Sequence, residues 1–310
     1  MKFDFFRKTP VLPARKFGHI ETIPEPTDHI LGGPIQSLKV LLSPERDFTN
    51  FLPVTEKQER AFETFSCVTF SALNCLEITH KRLFGVEINA SDRFIAAASG
   101  TVPGQGNSFV KVGDAIRKSG LVLEEEYTWG GSNNTEYLVK PPQTIYDKAK
   151  LWKEIFETQY EWVGWAGAKP EAIYNALQFG PVQVSVNANA TYSREVNTAV
   201  DHAVTVFQAV PKKSLRIFDH YDRTVYDLPW GFYFGSAFQF SLLKKKFIPL
   251  VMVYNKPEIY AIVGTTAQHI ADEATWHYGE QIGLWEKKIE VLTQNSFNNA
   301  YILGKHLTFI

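Results

Sequence analysis

The hydrophobic pattern of this chain changes period near residue 180, and that change limits the fold more than any other feature of the sequence. Between about residue 50 and residue 178, apolar residues recur at spacings of three and four; from Gly180 onward, Pro181, Val182, Gln183, Val184, Ser185 and Val186 alternate strictly. The first spacing lines one stripe of a helix and the second lines one face of a strand. Helices are predicted over 67–84, where Gly85 stops the pattern, over 91–100, over 109–118 before Gly120, over 144–160, and over 170–178 with Pro170 in the first turn. Short strands are predicted over 182–186, 203–207, 215–218 and 231–234. A helical half followed by a β half gives an α+β protein with a groove between the halves.

Residues 1–50 carry Pro10, Pro13, Pro24, Pro26, Pro34 and Pro44 with Gly32 and Gly33, the composition of an extended arm. Apolar beads at Ile30, Leu31 and 38–42 are placed to strap it onto the core, and a cleavable pro-segment is the functional alternative. After Lys246 the pattern changes again, with apolar runs at 247–255, 259–263 and 285–291 and an isolated Trp276, which reads as a small mixed module. The chain thus divides into an arm (1–50), a main domain (51–246) and an accessory module (247–310).

Composition excludes several functions. With 45% hydrophobic and 14% aromatic residues the chain supports a sizeable core, and a net charge of −1 with Lys244-Lys245-Lys246 as the only basic run argues against a nucleic-acid partner. No apolar run approaches the ~18 residues of a membrane span, and residues 1–8 lack the apolar core of a signal peptide. Two cysteines eight positions apart in one helix cannot build a disulfide framework, which makes a reducing compartment such as a cytoplasm, or a virion assembled there, the expected setting.

Cys67 is the residue with the clearest chemical placement. A lone cysteine in an apolar segment is ordinarily inert core. This one follows Ser66, a good N-cap type, and so falls at the first position of a helix, where backbone N–H groups and the helix dipole favour a thiolate. His202 stands at the mouth of an apolar strand 135 residues later, and Asp219 ends the next strand. A thiol nucleophile needs an imidazole to take its proton, and the imidazole needs a partner to fix its tautomer. His202 and Asp219 are residue types that can supply both partners. Cys75 lies two helical turns further along and reads as core, while His220 is a conceivable second base. His269 and His277 with Asp272 and Glu273 offer only a loose metal-ligand spacing, for which a surface role is the simpler reading.

Four segments in this order resemble the papain family of cysteine peptidases. Residues 66–72, Ser-Cys-Val-Thr-Phe-Ser-Ala, are similar to the Ser-Cys-Trp-Ala-Phe-Ser-Ala around that family's nucleophile; Asp201-His202-Ala203-Val204 resembles the segment around its base. Gly180-Pro181-Val182 matches the strand preceding that base, and Asp219 falls at the Asn that orients it. The resemblance spans roughly residues 50–240 and departs from the family at Val68, which replaces a Trp, and at Asp219, an anionic orienter.

The resemblance implies a helical N-terminal lobe and an antiparallel β C-terminal lobe, with Cys67, His202 and Asp219 as the triad of a peptide-bond hydrolase. Position 61, where the family carries its oxyanion-hole Gln, is Ala here, and Gln58 in Pro53-Val54-Thr55-Glu56-Lys57-Gln58 is carried over as that donor. The loop with Gly104, Gly106 and Asn107 is assigned to substrate-backbone binding. No metal or organic cofactor is implied, and the expected partner is a protein or peptide substrate, with the C-terminal module available to dock a protein. The family's disulfides and long pro-region have no counterpart, which points to a divergent microbial or phage-type relative. Two alternatives stay open: a transpeptidase or deamidase using the same triad, and a non-catalytic structural or binding protein, such as a virion component, on the same scaffold.

Overall fold

The computed structural model describes residues 18–31, 40–55, 58, 62–129, 131–188, 192, 199–245, 248–263, 266–270, 276, 279 and 285–303. One helix, α1 (Cys67–Phe84), is buried on every side over its first fourteen residues and is covered by α2 (Asp92–Ala98) and α3 (Phe109–Ser119). A helix in such a position cannot show a clean amphipathic stripe, so its polar residues must find partners inside. Gly85, in the left-handed region at φ 73°, ends it by donating its N–H to the Lys81 carbonyl. Ser91 and Ser108 cap α2 and α3 through their side chains. The short α4 (Asn134–Tyr137) and the longer α5 (Gln143–Ile155) complete the helical half.

The β half is a six-stranded antiparallel sheet. Its strands are β1 (Phe156–Gly164), β2 (Val182–Val186), β3 (His202–Val210), β4 (Ser214–Asp219), β5 (Thr224–Pro229) and β6 (Ala237–Lys244), in the order β1-β6-β2-β3-β4-β5. Strand β2 shows why the period-two pattern mattered. Val182, Val184 and Val186 enter a cluster with Ile173, Leu177, Val204, Leu215 and Ile217, under α6 (Pro170–Ala176). The alternate residue Gln183 turns the other way and donates its side-chain amide to the Val68 carbonyl at 2.8 Å and to the Ser71 hydroxyl at 2.7 Å. From β3, the Thr205 hydroxyl donates to the Ser71 carbonyl at 3.1 Å. Two sheet strands thereby fix the first turn of α1.

Two predicted elements differ. The helix expected over 144–160 ends at Ile155, and residues 156–164 run as β1 against β6, Phe156 facing Lys244 and Trp162 facing Phe238. Thr158, Tyr160, Trp162 and Val163 are β-prone types, and the Trp152 indole donates to the Thr158 hydroxyl across the junction at 3.2 Å. Residues 231–234, expected as a strand, form a loop in which Phe234 makes a single bridge to Ala168; the strand lies further on, at β6.

Of the apolar beads expected to strap the arm down, Ile30, Leu31 and Leu42 do so, Val40 and Leu41 are exposed, and 38–39 lie outside the described residues. Leu31 N–H donates to the Trp162 carbonyl, Trp162 N–H to the His29 carbonyl, and Leu42 joins Phe48, Ile78, Phe207 and Phe218 in a separate cluster. Beyond β6, a mixed five-stranded sheet is built from β7 (Ile248–Val253), β8 (Ile259–Val263), β9 (Thr266–His269), β10 (Trp285–Leu292) and β11 (Ile302–Leu303), in the order β10-β7-β8-β9-β11. Leu250, Ala261 and Ile270 reach the core around α1, while Val251, Val253 and Ile262 pack with Phe297 of α7 (Gln294–Ala300). Among the described residues no helix is long and apolar enough to cross a membrane.

Replacing Gln183 by Leu keeps its bulk but removes both bonds to α1. The substitution is expected to lower the unfolding free energy by ~1–3 kcal/mol in urea denaturation; an unchanged midpoint would remove Gln183 from the anchoring of α1.

Candidate active site

The site forms where the start of α1, the start of β3 and the end of β4 meet. Phe65, with φ at 56°, turns the chain into α1, and Cys67 is the first helical residue. Ser66 does not cap the helix as predicted: its hydroxyl donates to the Thr64 carbonyl at 3.1 Å, and its φ and ψ of −107° and 18° do not aim it at the helix amides. His202 is the first residue of β3 and Asp219 the last of β4. The antiparallel pairing of these strands brings both side chains to one end of the sheet.

The His202 ring donates from Nε2 to Asp219 Oδ1 at 2.9 Å, since an ionised carboxylate can only accept. Nδ1 lies on the opposite edge of the ring, and Cys67 is close enough to help hold the ring's charge. Burial by itself would push the His202 pKa down. The charge of Asp219 and its hydrogen bond, followed by the contact with Cys67, raise it instead to about 10. Burial likewise works against the Asp219 carboxylate, yet the positive His202 ring, with His220 and the Tyr192 hydroxyl, holds it well below the usual carboxylate range. Asp219 Oδ1 also accepts from the Tyr221 N–H at 3.0 Å, and Oδ2 accepts from the Tyr192 hydroxyl at 2.7 Å. The Tyr221 ring stands edge-on to His202, 6.4 Å between centroids. The arrangement is a charged imidazole held between an acid and a sulfur.

Gln58 belongs to the same network but is turned away from the role predicted for it. Its Oε1 lies 3.1 Å from His220 Nε2, its backbone N–H donates to the His220 carbonyl, and its two amide hydrogens go to Glu63 Oε1 at 3.0 Å and Thr64 Oγ1 at 3.2 Å. To serve an oxyanion, Nε2 must first release one of these. His220, stacked on Phe70 at 5.4 Å, has its pKa lowered to about 3 by burial and by the neighbouring charge of His202. It is therefore a neutral clamp on Gln58 rather than a second base. His202, Asp219 and His220 bring one ligand-type atom each within 4.8 Å of one another, but the His202–Asp219 ion pair and the His220–Gln58 bond already engage these side chains. Cys75 is buried core: its thiol lies 3.9 Å from the Thr205 hydroxyl and burial pushes its pKa far up. His269 packs beside Tyr260, whereas His277, Asp272 and Glu273 lie outside the described residues.

The loop assigned to substrate binding meets the chain's own arm. Asn107 donates its N–H to the Gly18 carbonyl at 2.9 Å and accepts from the Ile20 N–H at 2.8 Å, which is parallel strand pairing around His19. On the other lobe, His19 N–H donates to the Asp201 carbonyl at 3.2 Å. The contact needs glycine on both sides. A Cβ on Gly18 would lie 2.6 Å from the Phe65 carbonyl oxygen, and one on Gly106, whose φ is 84°, would lie 1.7 Å from the Gly18 oxygen. Asn107 is itself braced, its amide donating to the Ser99 hydroxyl at 2.8 Å and the Thr101 hydroxyl at 3.1 Å. Gly104 sits at the outer turn with open space around it. Residues 18–21 thus cross from the Phe65 side to the Asp201 side, and Cys67 has no exposed surface. No sequence pattern pointed to Tyr192, His220 as a clamp, or His19, because their roles depend on contacts between distant segments.

No protein-family profile matches the chain, and no curated protein sequence matches it. Among solved structures it is similar to xylellain, a cysteine protease from Xylella fastidiosa, with a TM-score of 0.51 at 18% identity over 74% of this chain and 97% of that one. A cysteine protease of Carica candamarcensis in complex with E-64 gives 0.49 at 15% identity over 63% and 96%. The proform of Amb a 11, a cysteine protease and major ragweed pollen allergen, gives 0.48 at 18% identity over 61% of this chain and 63% of that one, so the chain spans less than two thirds of that proform. The fold is papain-like, a mixed α+β architecture shared with cysteine proteases.

Gly18→Val places a branched side chain where not even a Cβ fits. The strain is expected to lift the arm and speed alkylation of Cys67 by iodoacetamide by at least roughly tenfold. Peptide mass mapping distinguishes Cys67 from Cys75; an unchanged rate at Cys67 would mean that the arm does not cover it.

Proposed function

We propose that this chain is a cysteine peptidase whose cleft is closed by its own N-terminal arm. The observation that carries the proposal is the gathering of Cys67, His202 and Asp219 where helix and sheet meet, with the acid bonded to one ring nitrogen and the cysteine close enough to act on the ring's charge. On this reading His202 already holds the proton taken from Cys67, and the sulfur attacks the peptide carbonyl as a thiolate. The oxyanion is met by the Cys67 backbone N–H and by Gln58 once its amide is released from Glu63 and Thr64. His202 then protonates the leaving amine, and the resulting thioester is hydrolysed by a water that His202 activates. Asp219 keeps the ring oriented and charged.

Substrate binding follows the same reasoning. The backbone N–H and carbonyl of Asn107, now paired with Gly18 and Ile20, would pair with an extended substrate once the arm leaves, and the absence of a side chain at Gly106 would let that backbone approach. The division into 1–50, 51–246 and 247–310 then acquires functional sense as inhibitor, catalyst and a module for docking a protein partner. A transferase or deamidase would use the same groups, with an amine or a side-chain amide replacing water or the peptide bond.

A second reading has its own support. The buried sulfur and the committed amide hydrogens of Gln58 favour a scaffold that has ceased to turn over. The two readings separate in a peptide-library hydrolysis assay on the Gly18→Val protein. Peptidase activity is expected, falling by at least ~10³-fold in Cys67→Ala and in His202→Ala. Absence of cleavage in the open variant, or cleavage that survives Cys67→Ala, would sink the peptidase proposal.

A further inference from the structure

Gln183 and Thr205 bond the first turn of α1 directly, but its second half meets the sheet differently. Thr79 is 2% exposed, and its hydroxyl has no hydrogen-bond partner among the described residues. The same is true of two groups on β6, the Oε1 of Gln239, which is 3% exposed, and the buried hydroxyl oxygen of Ser241. All three residues line one crevice, walled on its apolar side by Leu42 and Leu83. A Cβ built on Gly180 would lie 3.5 Å from Thr79 Oγ1 and 3.7 Å from Gln239 Nε2, so the heads of these two side chains meet beside the same point of the chain. The space left in the crevice is about 10 Å³, which admits one water and nothing larger.

We propose that this crevice is the binding site of a single internal water, shared by Thr79, Gln239 and Ser241, which ties the second half of α1 to β6. The inference stands apart from the peptidase reading.

The count of donors and acceptors selects the ligand. Both amide hydrogens of Gln239 are spent, one on the Ala176 carbonyl at 2.7 Å and one on the Gly180 carbonyl at 3.0 Å. Its Oε1 can therefore only be satisfied by a proton from another group, and water supplies one. The two hydroxyls can each donate or accept, which completes the roughly three bonds of a typical internal water. The three groups are neutral, so the site suits a neutral ligand that both gives and takes protons. Glu161, which lines the crevice opposite Gln239 in the β1–β6 ladder, has an interaction of its own.

The water fixes the sign of a substitution. Thr79→Val keeps the shape and nearly the helix propensity of the residue and removes the hydroxyl. In a dry crevice that hydroxyl would be a buried polar group without a partner, and its loss would stabilise the fold. With the water bound, the same change deletes a hydrogen bond and leaves the water with two, so it destabilises.

Urea unfolding of the full chain distinguishes the two cases. Thr79→Val and Ser241→Ala are each expected to raise the unfolding constant by about three- to tenfold. Because both act on one water, the double variant is expected to fall short of the product of the single effects by at least about twofold. A crystal structure of the wild-type protein is expected to show a water within about 3.2 Å of Thr79 Oγ1, Gln239 Oε1 and Ser241 Oγ. Should Thr79→Val not fold, Ser241→Ala and the crystal structure carry the test. An unfolding constant that is unchanged or lowered in Thr79→Val, single effects that multiply independently, or a crevice empty of density overturns the proposal. None of these readouts involves catalysis, so an inactive protein with the water in place would refute the peptidase reading alone, and an active one with a dry crevice would refute the water alone.

Discussion

A charged imidazole sits in this protein where water does not reach. Removing an ion from water costs several kcal/mol, and a buried pair recovers that only with good geometry and further hydrogen bonds. His202 meets both conditions through Asp219, which is bonded to the ring, to the Tyr221 amide and to the Tyr192 hydroxyl. If the carboxylate were neutral, the buried ring would lose the partner that keeps it charged. The neighbouring histidines show what burial does without such a partner, since both His19 and His220 are held neutral. One acid therefore decides which of three adjacent imidazoles is charged.

That pair has to be held at the tip of a helix from the other lobe, which explains the polar residues buried along α1. Gln183 and Thr205, from adjacent strands, bond the first turn of α1 from the sheet side, so the sulfur's position is set by the sheet that carries the imidazole. Rigidity of this kind fixes the sulfur relative to the ring. The opposite wall is built on backbone instead. Asn107 is locked by its own side chain and presents one N–H and one carbonyl, which the arm now fills with Gly18 and Ile20. Such an edge pairs with an extended backbone, here the protein's own.

The sequence made the chemical residues legible and left most of their supports hidden. Cys67, His202 and Asp219 were marked by residue type and by their places at helix start, strand start and strand end, and those places are local properties. The helix over 144–160 was misjudged past Ile155 because pairing with β6 decides the structure of 156–164, and a partner about 80 residues away leaves no local periodicity. Ser66 looked like a cap because the type suits one; the turn at Phe65 aims it elsewhere. Gln58 was found by its neighbours in sequence, but the direction of its amide depends on Glu63, Thr64 and His220. The arm was read as a strap, correctly for Ile30, Leu31 and Leu42, yet nothing local told that 18–21 would lie in the groove, since that contact depends on the absence of side chains at two glycines far apart.

The account stands most directly on the charge state of one ring. Nitrogen-15 chemical shifts of His202, followed by NMR between pH 5 and pH 11, report it without reference to activity. The structure predicts a doubly protonated ring that persists through neutral pH and titrates near pH 10, with the titration moving to lower pH in Asp219→Asn. A His202 that titrates near the ordinary histidine value of about 6.5 in the wild-type protein, indifferent to Asp219, would contradict it.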